Sequence, residues 1–438
     1  MALPANRHPI TRWLQTAHPV WLTLYASLTA FCLYTCVYVF RKTFSVATFE
    51  GLEYWGISFK VWLVTFQVIG YAASKFIGIK IVSELKHEKR LLGIITLVGI
   101  AGISWLFFAL IPAPYSLLFL LTNGLPLGMI WGIIFSYLEG RRMTEVLGAA
   151  LSVSFIFSSG FCRSTGGYIL QYWHVSESWM PFVAGAVFVI PTGIFLFLID
   201  KIPPPSPEDI ALRSKRMPMN KNERMKFLFS FLPGIILFVL SYMLLTAFRD
   251  FRDNFSAELW ESIGYTGNPA IFTQTEIPIS LAVLLVMGSI MFIKNNHTAL
   301  LINHLIILSG FVLVGVSTFL FQFHNLDPFT WMVLLGLGLY LGYVPFNSIF
   351  FDRLLAAFEY VGTVGFIMYV SDAFGYAASV GVLFYKEFGL PQISWLNFMI
   401  HGGYILAIIG SILITGSLIY FLHKQYVKQN QKQLLTAT

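Results

Sequence analysis

Apolar runs of about twenty residues recur along the whole chain, separated by short polar or glycine- and proline-bearing breaks. A helix rises about 1.5 Å per residue, so each run can cross a hydrocarbon core of about 30 Å. The breaks predict twelve spans near 21–44, 59–83, 91–111, 115–138, 147–171, 180–199, 227–250, 271–293, 299–321, 330–351, 361–385 and 397–422. All twelve are expected to be helices, because backbone groups in lipid have to be satisfied within the segment. The one long polar interruption, 200–226, opens with Pro203-Pro204-Pro205 and then turns basic, with six spans on either side. The pattern predicts an all-α membrane protein of twelve transmembrane helices in two pseudo-symmetric six-helix halves. The first half covers 1–200 and a cytoplasmic linker 201–226; the second half covers 227–425 and a cytoplasmic tail 426–438.

Composition narrows the class. Of 438 residues, 57% are hydrophobic and only 11% charged, with a mean hydropathy of +0.72, which excludes an ordinary soluble protein. The net charge of +7 would suit a nucleic-acid partner, but its placement argues otherwise. Most Lys and Arg fall in the termini and alternate loops, among them Arg12, Lys86, Lys89, Arg90, Arg141 and the basic stretch 213–226. Lys42, Lys60, Arg252 and Lys386 fall at the opposite span ends. The positive-inside rule then puts both termini in the cytoplasm of a plasma or inner membrane. No glycine-rich phosphate loop, clustered metal ligands or nucleophile beside a base stands out, so neither an enzyme nor a cofactor is expected.

The two halves repeat each other. Tyr34 and Arg41 in the first span match Tyr242 and Arg249 in the seventh at a common offset of 208. Seven residues are about two helical turns, so each Tyr lies on the face of its Arg. Leu127-Gly128, Glu145 and Gly148 match Leu341-Gly342, Glu359 and Gly362 at an offset of 214. An arginine in hydrocarbon costs roughly 3 kcal/mol or more and almost always faces a bundle interior or a wet cavity. Two at matched positions predict a central site for an anion, since the planar guanidinium fork fits phosphate or carboxylate. A structural ion pair is the competing reading, and for Arg249 Asp253 at i+4 is the expected local partner. Lys75, Tyr34, Tyr38, Tyr71 and Tyr242 are further candidates for contact with the anion.

Several strings resemble the major facilitator superfamily and, within it, the organophosphate:phosphate antiporters that exchange glycerol phosphate or sugar phosphates for phosphate. Val39-Phe40-Arg41-Lys42-Thr43-Phe44 is similar to that family's end of span one, with its substrate-binding arginine. Tyr71-Ala72-Ala73-Ser74-Lys75-Phe76-Ile77 resembles its span-two signature, and Arg249 followed by Asn254-Phe255-Ser256 its span seven. Gly362-Thr363 and Phe374-Gly375-Tyr376 resemble the start and middle of span eleven. The resemblance implies a major facilitator fold in which Arg41 and Arg249 hold an anionic head group, with Lys75 and Tyr38 or Tyr71 nearby. Two departures stand out. The family's span-five histidine falls at Ser158, and the superfamily's Gly-x-x-x-Asp-Arg-x-Gly loop is replaced after Gly78 by a stretch whose one acid is Glu84.

Arg163 in span five and Asp372 in span eleven form a second pair of costly charges, and Asp372 sits at the repeat position of Ser158. Three roles are open to them: gating or proton coupling, a third cationic contact from Arg163, or a static pair. Glu276, His174 and His324 are expected at a solvated rim. The chain is thus expected to be a secondary active transporter of a small organic anion, a phosphate ester or phosphate first. Its partners would be that anion, the lipid bilayer and a coupling proton or counter-anion. A membrane receptor or sensor of such an anion is the alternative, as is a carrier of a carboxylate, neutral or lipid substrate.

Overall fold

In the computed structural model the described residues are 8–139, 141, 143–206, 209, 221–290, 292–358, 364–389 and 392–437. Most of the basic linker, with Glu359, Gly362 and Thr363 of the repeat and resemblance motifs, lies outside them. The helices are α1 (Pro9–Thr16), α2 (Pro19–Lys42), α3 (Phe59–Glu84), α4 (His87–Leu110), α5 (Leu117–Leu138), α6 (Thr144–Trp173) and α7 (Met180–Asp200). They continue with α8 (Lys221–Asn254), α9 (Ser256–Ser262), α10 (Ile271–Ile290), α11 (Asn296–Gln322), α12 (Pro328–Ser348), α13 (Phe350–Ala357), α14 (Val364–Phe384) and α15 (Trp395–Ala437). Among the described residues, eleven helices are long and apolar enough to cross a membrane. At the eleventh predicted span stands α14, whose 21 residues reach about 31 Å. Among the described residues every predicted span therefore contains a helix.

The distribution of polarity is that of a protein dissolved in lipid. Ile190 and Leu285 are more than 70% exposed, whereas Asn123, Ser154, Asn303 and Thr318 are fully buried. Large apolar side chains point out into hydrocarbon, and polar ones find partners inside.

Boundaries differ where helices outrun the bilayer or stop inside a span. The 34 residues of α8 and the 43 of α15 are about 50 and 65 Å long, so both project beyond the core. Hydropathy sees only the buried part of such a helix. The short α1 was not expected; His8 caps its N-terminus by accepting the Ile10 N–H, with Pro9 next. The loop after α2 holds a two-residue hairpin, Glu53–Tyr54 against Ile57–Ser58. Its turn residues Trp55 and Gly56 both have positive φ (56° and 72°), the geometry of a tight hairpin turn.

The chain forms two compact units. One comprises Met1–Ser214 with Asp253–Leu284, the other Lys215–Arg252 with Leu285–Thr438. In the first unit α3 and α5 approach at backbone distance, for a Cβ on Gly124 would overlap the Gln67 carbonyl and one on Gly70 the Leu121 carbonyl. In the second, Gly338 and Gly310 play the same part between α12 and α11. Small residues let these helices touch along their backbones. The segment Asp253–Leu284 belongs to the sequence's second half, yet it packs in the first unit. Gly160 on α6 admits the Phe272 backbone, Gly167 admits Pro269, and the Thr273 N–H donates to Ser164 Oγ at 3.1 Å.

Candidate functional site

Arg41 sits in the last turn of α2, where carbonyls lack intrahelical partners. Side chains of neighbouring helices supply the missing donors. Gln67 Nε2 donates to the Arg41 carbonyl at 2.6 Å, while Trp105 Nε1 and Asn123 Nδ2 donate to that of Phe40 at 2.5 and 3.0 Å. This fixes the backbone from which the guanidinium projects. The guanidinium carbon lies 3.8 Å from the centre of the Tyr71 ring and 5.5 Å from that of Tyr38. Lys75 Nζ is 5.4 Å from the same Tyr71 ring. Tyr34 stands edge-on to Tyr38 with 5.8 Å between centroids. One platform on α2 and α3 therefore gathers Arg41, Lys75, Tyr38 and Tyr71, with Tyr34 behind it.

The second unit builds a comparable platform from different positions. The Arg249 guanidinium carbon lies 3.8 Å from the Tyr343 ring centre. Tyr343, on α12, was not singled out from the sequence. Its ring stacks on Tyr242 at 5.3 Å, and the Tyr242 hydroxyl donates to Tyr343 Oη at 3.2 Å and to Asp372 Oδ1 at 2.5 Å. Arg249 pairs with its neighbour Asp250. Neighbouring residues leave a helix in different directions, but the long arginine side chain bends back to reach the carboxylate. Ser379 holds that carboxylate from the other side, donating to Asp250 Oδ2 at 2.8 Å.

Asp372 is held by Tyr242, whereas Arg163, 2% exposed, faces Asp253 Oδ1 at 3.7 Å and Glu276 Oε1 at 3.6 Å. Glu276 is therefore no rim residue: it is buried, with 2% exposure. His174 and His324 do lie on the surface, each in the left-handed region just after a helix (φ 52° and 59°). Ser158 is fully buried and donates to Thr35 Oγ1 at 2.9 Å, joining α6 to α2.

The cations at the span ends opposite the basic loops are also buried. Lys60 pairs with Glu258 at 2.5 Å, and Lys42 donates to Asn254 Oδ1 at 2.5 Å. Arg252 donates to the Met332 carbonyl, and Lys386 lies 4.0 Å over the Trp395 ring. His304, which no motif marked, is buried on α11 between Phe350 and Phe421, 3.2 Å from Ser417 Oγ. An apolar pattern offers no signal for Lys42, Lys60, Arg252 or His304, since each depends on a partner distant in sequence.

The fold is shared with solved transporters. A D-xylose-proton symporter superposes with a TM-score of 0.60 at 16% identity, covering 92% of this chain and 97% of its own. A bacterial homologue of the human drug peptide transporters PepT1 and PepT2 gives 0.61 at 11% identity, covering 92% and 99%. A nucleoside transporter gives 0.59 at 14%, covering 91% and 100%. No curated protein sequence matches the chain. The chain thus has the major facilitator fold of an integral membrane protein. A sequence-family model matches residues 43–424, so the chain belongs to the family of unknown function DUF5690.

Proposed function

We propose that the protein is a secondary active transporter that moves a small organic anion, a phosphate ester or phosphate first, by alternating access. The observation that carries this reading is the pair of arginines at repeat-related positions, each with its guanidinium carbon 3.8 Å from the centre of a tyrosine ring within a membrane span. A guanidinium is a planar fork of donors that suits an oxyanion, which it can meet with two parallel bonds. Lys75, beside Tyr71, adds charge without a fixed direction. Tyr34, Tyr38, Tyr71 and Tyr242 supply ring faces and hydroxyls, and Asp250 sets the angle of Arg249. The solved neighbours carry quite different cargo, so their likeness supports carriage alone. The choice of an anion rests on the arginines.

The test is a thermal-shift screen of the purified protein with inorganic phosphate, glycerol 3-phosphate and citrate, since a ligand of the folded state raises apparent stability. Glycerol 3-phosphate or phosphate should stabilise the parent. Arg41→Lys and Arg249→Lys keep the charge but lose the fork, and each should weaken binding by about 2–5 kcal/mol, more than about 30-fold. In proteoliposomes the stabilising anion should be taken up. Lysine variants that bind and transport like the parent would refute the assignment.

A further inference from the structure

The hairpin after α2 is fixed at its base and exposed at its tip. Glu177, in the loop between α6 and α7, accepts the backbone N–H of Thr48 at 3.0 Å and that of Phe49 at 3.1 Å. Ile57 is buried, and Tyr54 stands edge-on to Phe59 with 5.6 Å between centroids. The turn between Tyr54 and Ile57 carries Trp55, which is 70% exposed at a φ of 56°. Two-residue turns with positive φ at both positions favour Asn-Gly or Asp-Gly, and a bulky residue there is strained. Gly56 suits the second position, but the turn's own chemistry does not account for an indole in the first.

The neighbouring helix shows what lies beside that indole. Trp62 Nε1 donates to the Tyr54 carbonyl at 2.9 Å, and the rings of Trp55 and Trp62 meet edge-on at 5.5 Å. Trp62, Phe66, Ile69 and Phe76 follow one face of α3, at spacings of a helical stripe. Ile69 and Phe76 are exposed within the span, so this face is turned to hydrocarbon. The span begins at Phe59, and Trp62 lies only about 4–5 Å inside it. Trp55 therefore stands where hydrocarbon gives way to headgroups.

We propose that the hairpin is a membrane anchor whose tip inserts the Trp55 indole into the headgroup–acyl boundary of the leaflet at this end of α3. Tryptophan suits that region, with an apolar body for the acyl chains and an N–H for headgroup oxygens. By the alternation of the spans, Tyr115 before α5 and Trp173 at the end of α6 fall on the same side, and both are exposed, as in an aromatic belt. Charge attraction plays no part. Residues 49–58 include Glu50 and Glu53 but no Lys or Arg, so the tip fits zwitterionic rather than anionic headgroups. The anchor sets the depth of the connection between α2, which bears Arg41, and α3, which bears Tyr71 and Lys75.

Fluorine NMR of the full chain, labelled with fluorotryptophan and held in phosphatidylcholine nanodiscs, tests the anchor without any cargo. The resonance missing from the Trp55→Phe variant is that of Trp55. A phospholipid carrying a nitroxide high on its acyl chain should broaden that resonance more strongly than a water-soluble gadolinium chelate does. The reverse order would put the tip in water and overturn the anchor. A resonance that neither reagent touches would mean that a protein surface, such as a second copy of the chain, covers the tip, and would overturn it as well. Should Trp55→Phe fail to fold, Trp55→Gly, which relieves the positive φ, gives the same assignment.

Discussion

Replacing either member of the Lys60–Glu258 pair should destabilise the protein, and replacing both should restore it. The charges are 2.5 Å apart, with side-chain exposures of 1% for Lys60 and 14% for Glu258. At an effective dielectric of about 20 their attraction is roughly 6–7 kcal/mol, but desolvating the two ions costs several kcal/mol each, so the pair is about neutral overall. An orphaned ion keeps its penalty and loses its compensation, at about 3–5 kcal/mol. Glu258→Gln strands the fully buried ammonium beside the Phe255 ring, 5.4 Å away, and should lie at the upper end of that range. Lys60→Met leaves Glu258, which has some solvent contact and can take a proton, and should lie near the lower end. Burial already pushes the Glu258 carboxyl up, and Lys60 pulls it back. Without Lys60 the folded-state value rises further above that of the unfolded chain. The Lys60→Met protein should therefore be closest to the parent below the ordinary carboxylate range of about 4, and fall behind as pH rises through the elevated value. Denaturant titration in micelles, followed by tryptophan fluorescence, measures both effects. The Lys60→Met/Glu258→Gln double variant should come within about 1–2 kcal/mol of the parent. Single variants that cost less than about 1 kcal/mol, or a double variant as damaged as their sum, would refute the reasoning.

The Tyr242→Phe variant removes the hydroxyl that donates to Asp372 at 2.5 Å and should cost about 1–3 kcal/mol of stability in the same titration, as expected for a buried acceptor losing its donor. An unchanged midpoint would show that Asp372 is satisfied without it. For topology, we propose from the bias of Lys and Arg that both termini and the 201–226 linker face the cytoplasm. Single cysteines at the exposed positions Ser206 and Ser262 should then react with an impermeant reagent added outside only at Ser262, and labelling at Ser206 alone would reverse the orientation.

The twelve spans were legible from the chain alone because a membrane imposes a length and an apolar composition on each crossing helix, and both are local properties. Arg41 and Arg249 were legible for a related reason: a guanidinium in such a run is costly, and the repeat supplied a second instance at a fixed offset. Helix ends were less legible, since α8 and α15 continue past the apolar stretch that reveals them. What holds the charges was not legible. Arg163 lies 90 residues from Asp253 and Lys60 lies 198 from Glu258, so no local spacing announces either meeting. Hydropathy reads Lys42 and Lys60 as loop-end cations, and only packing shows them buried. Sequence by itself thus determined which segments enter the membrane and where charge is carried into it. Tertiary structure alone decided which opposite charge, amide or aromatic ring compensates each one, because in a medium without water every buried polar group takes its partner from whichever helix packs beside it.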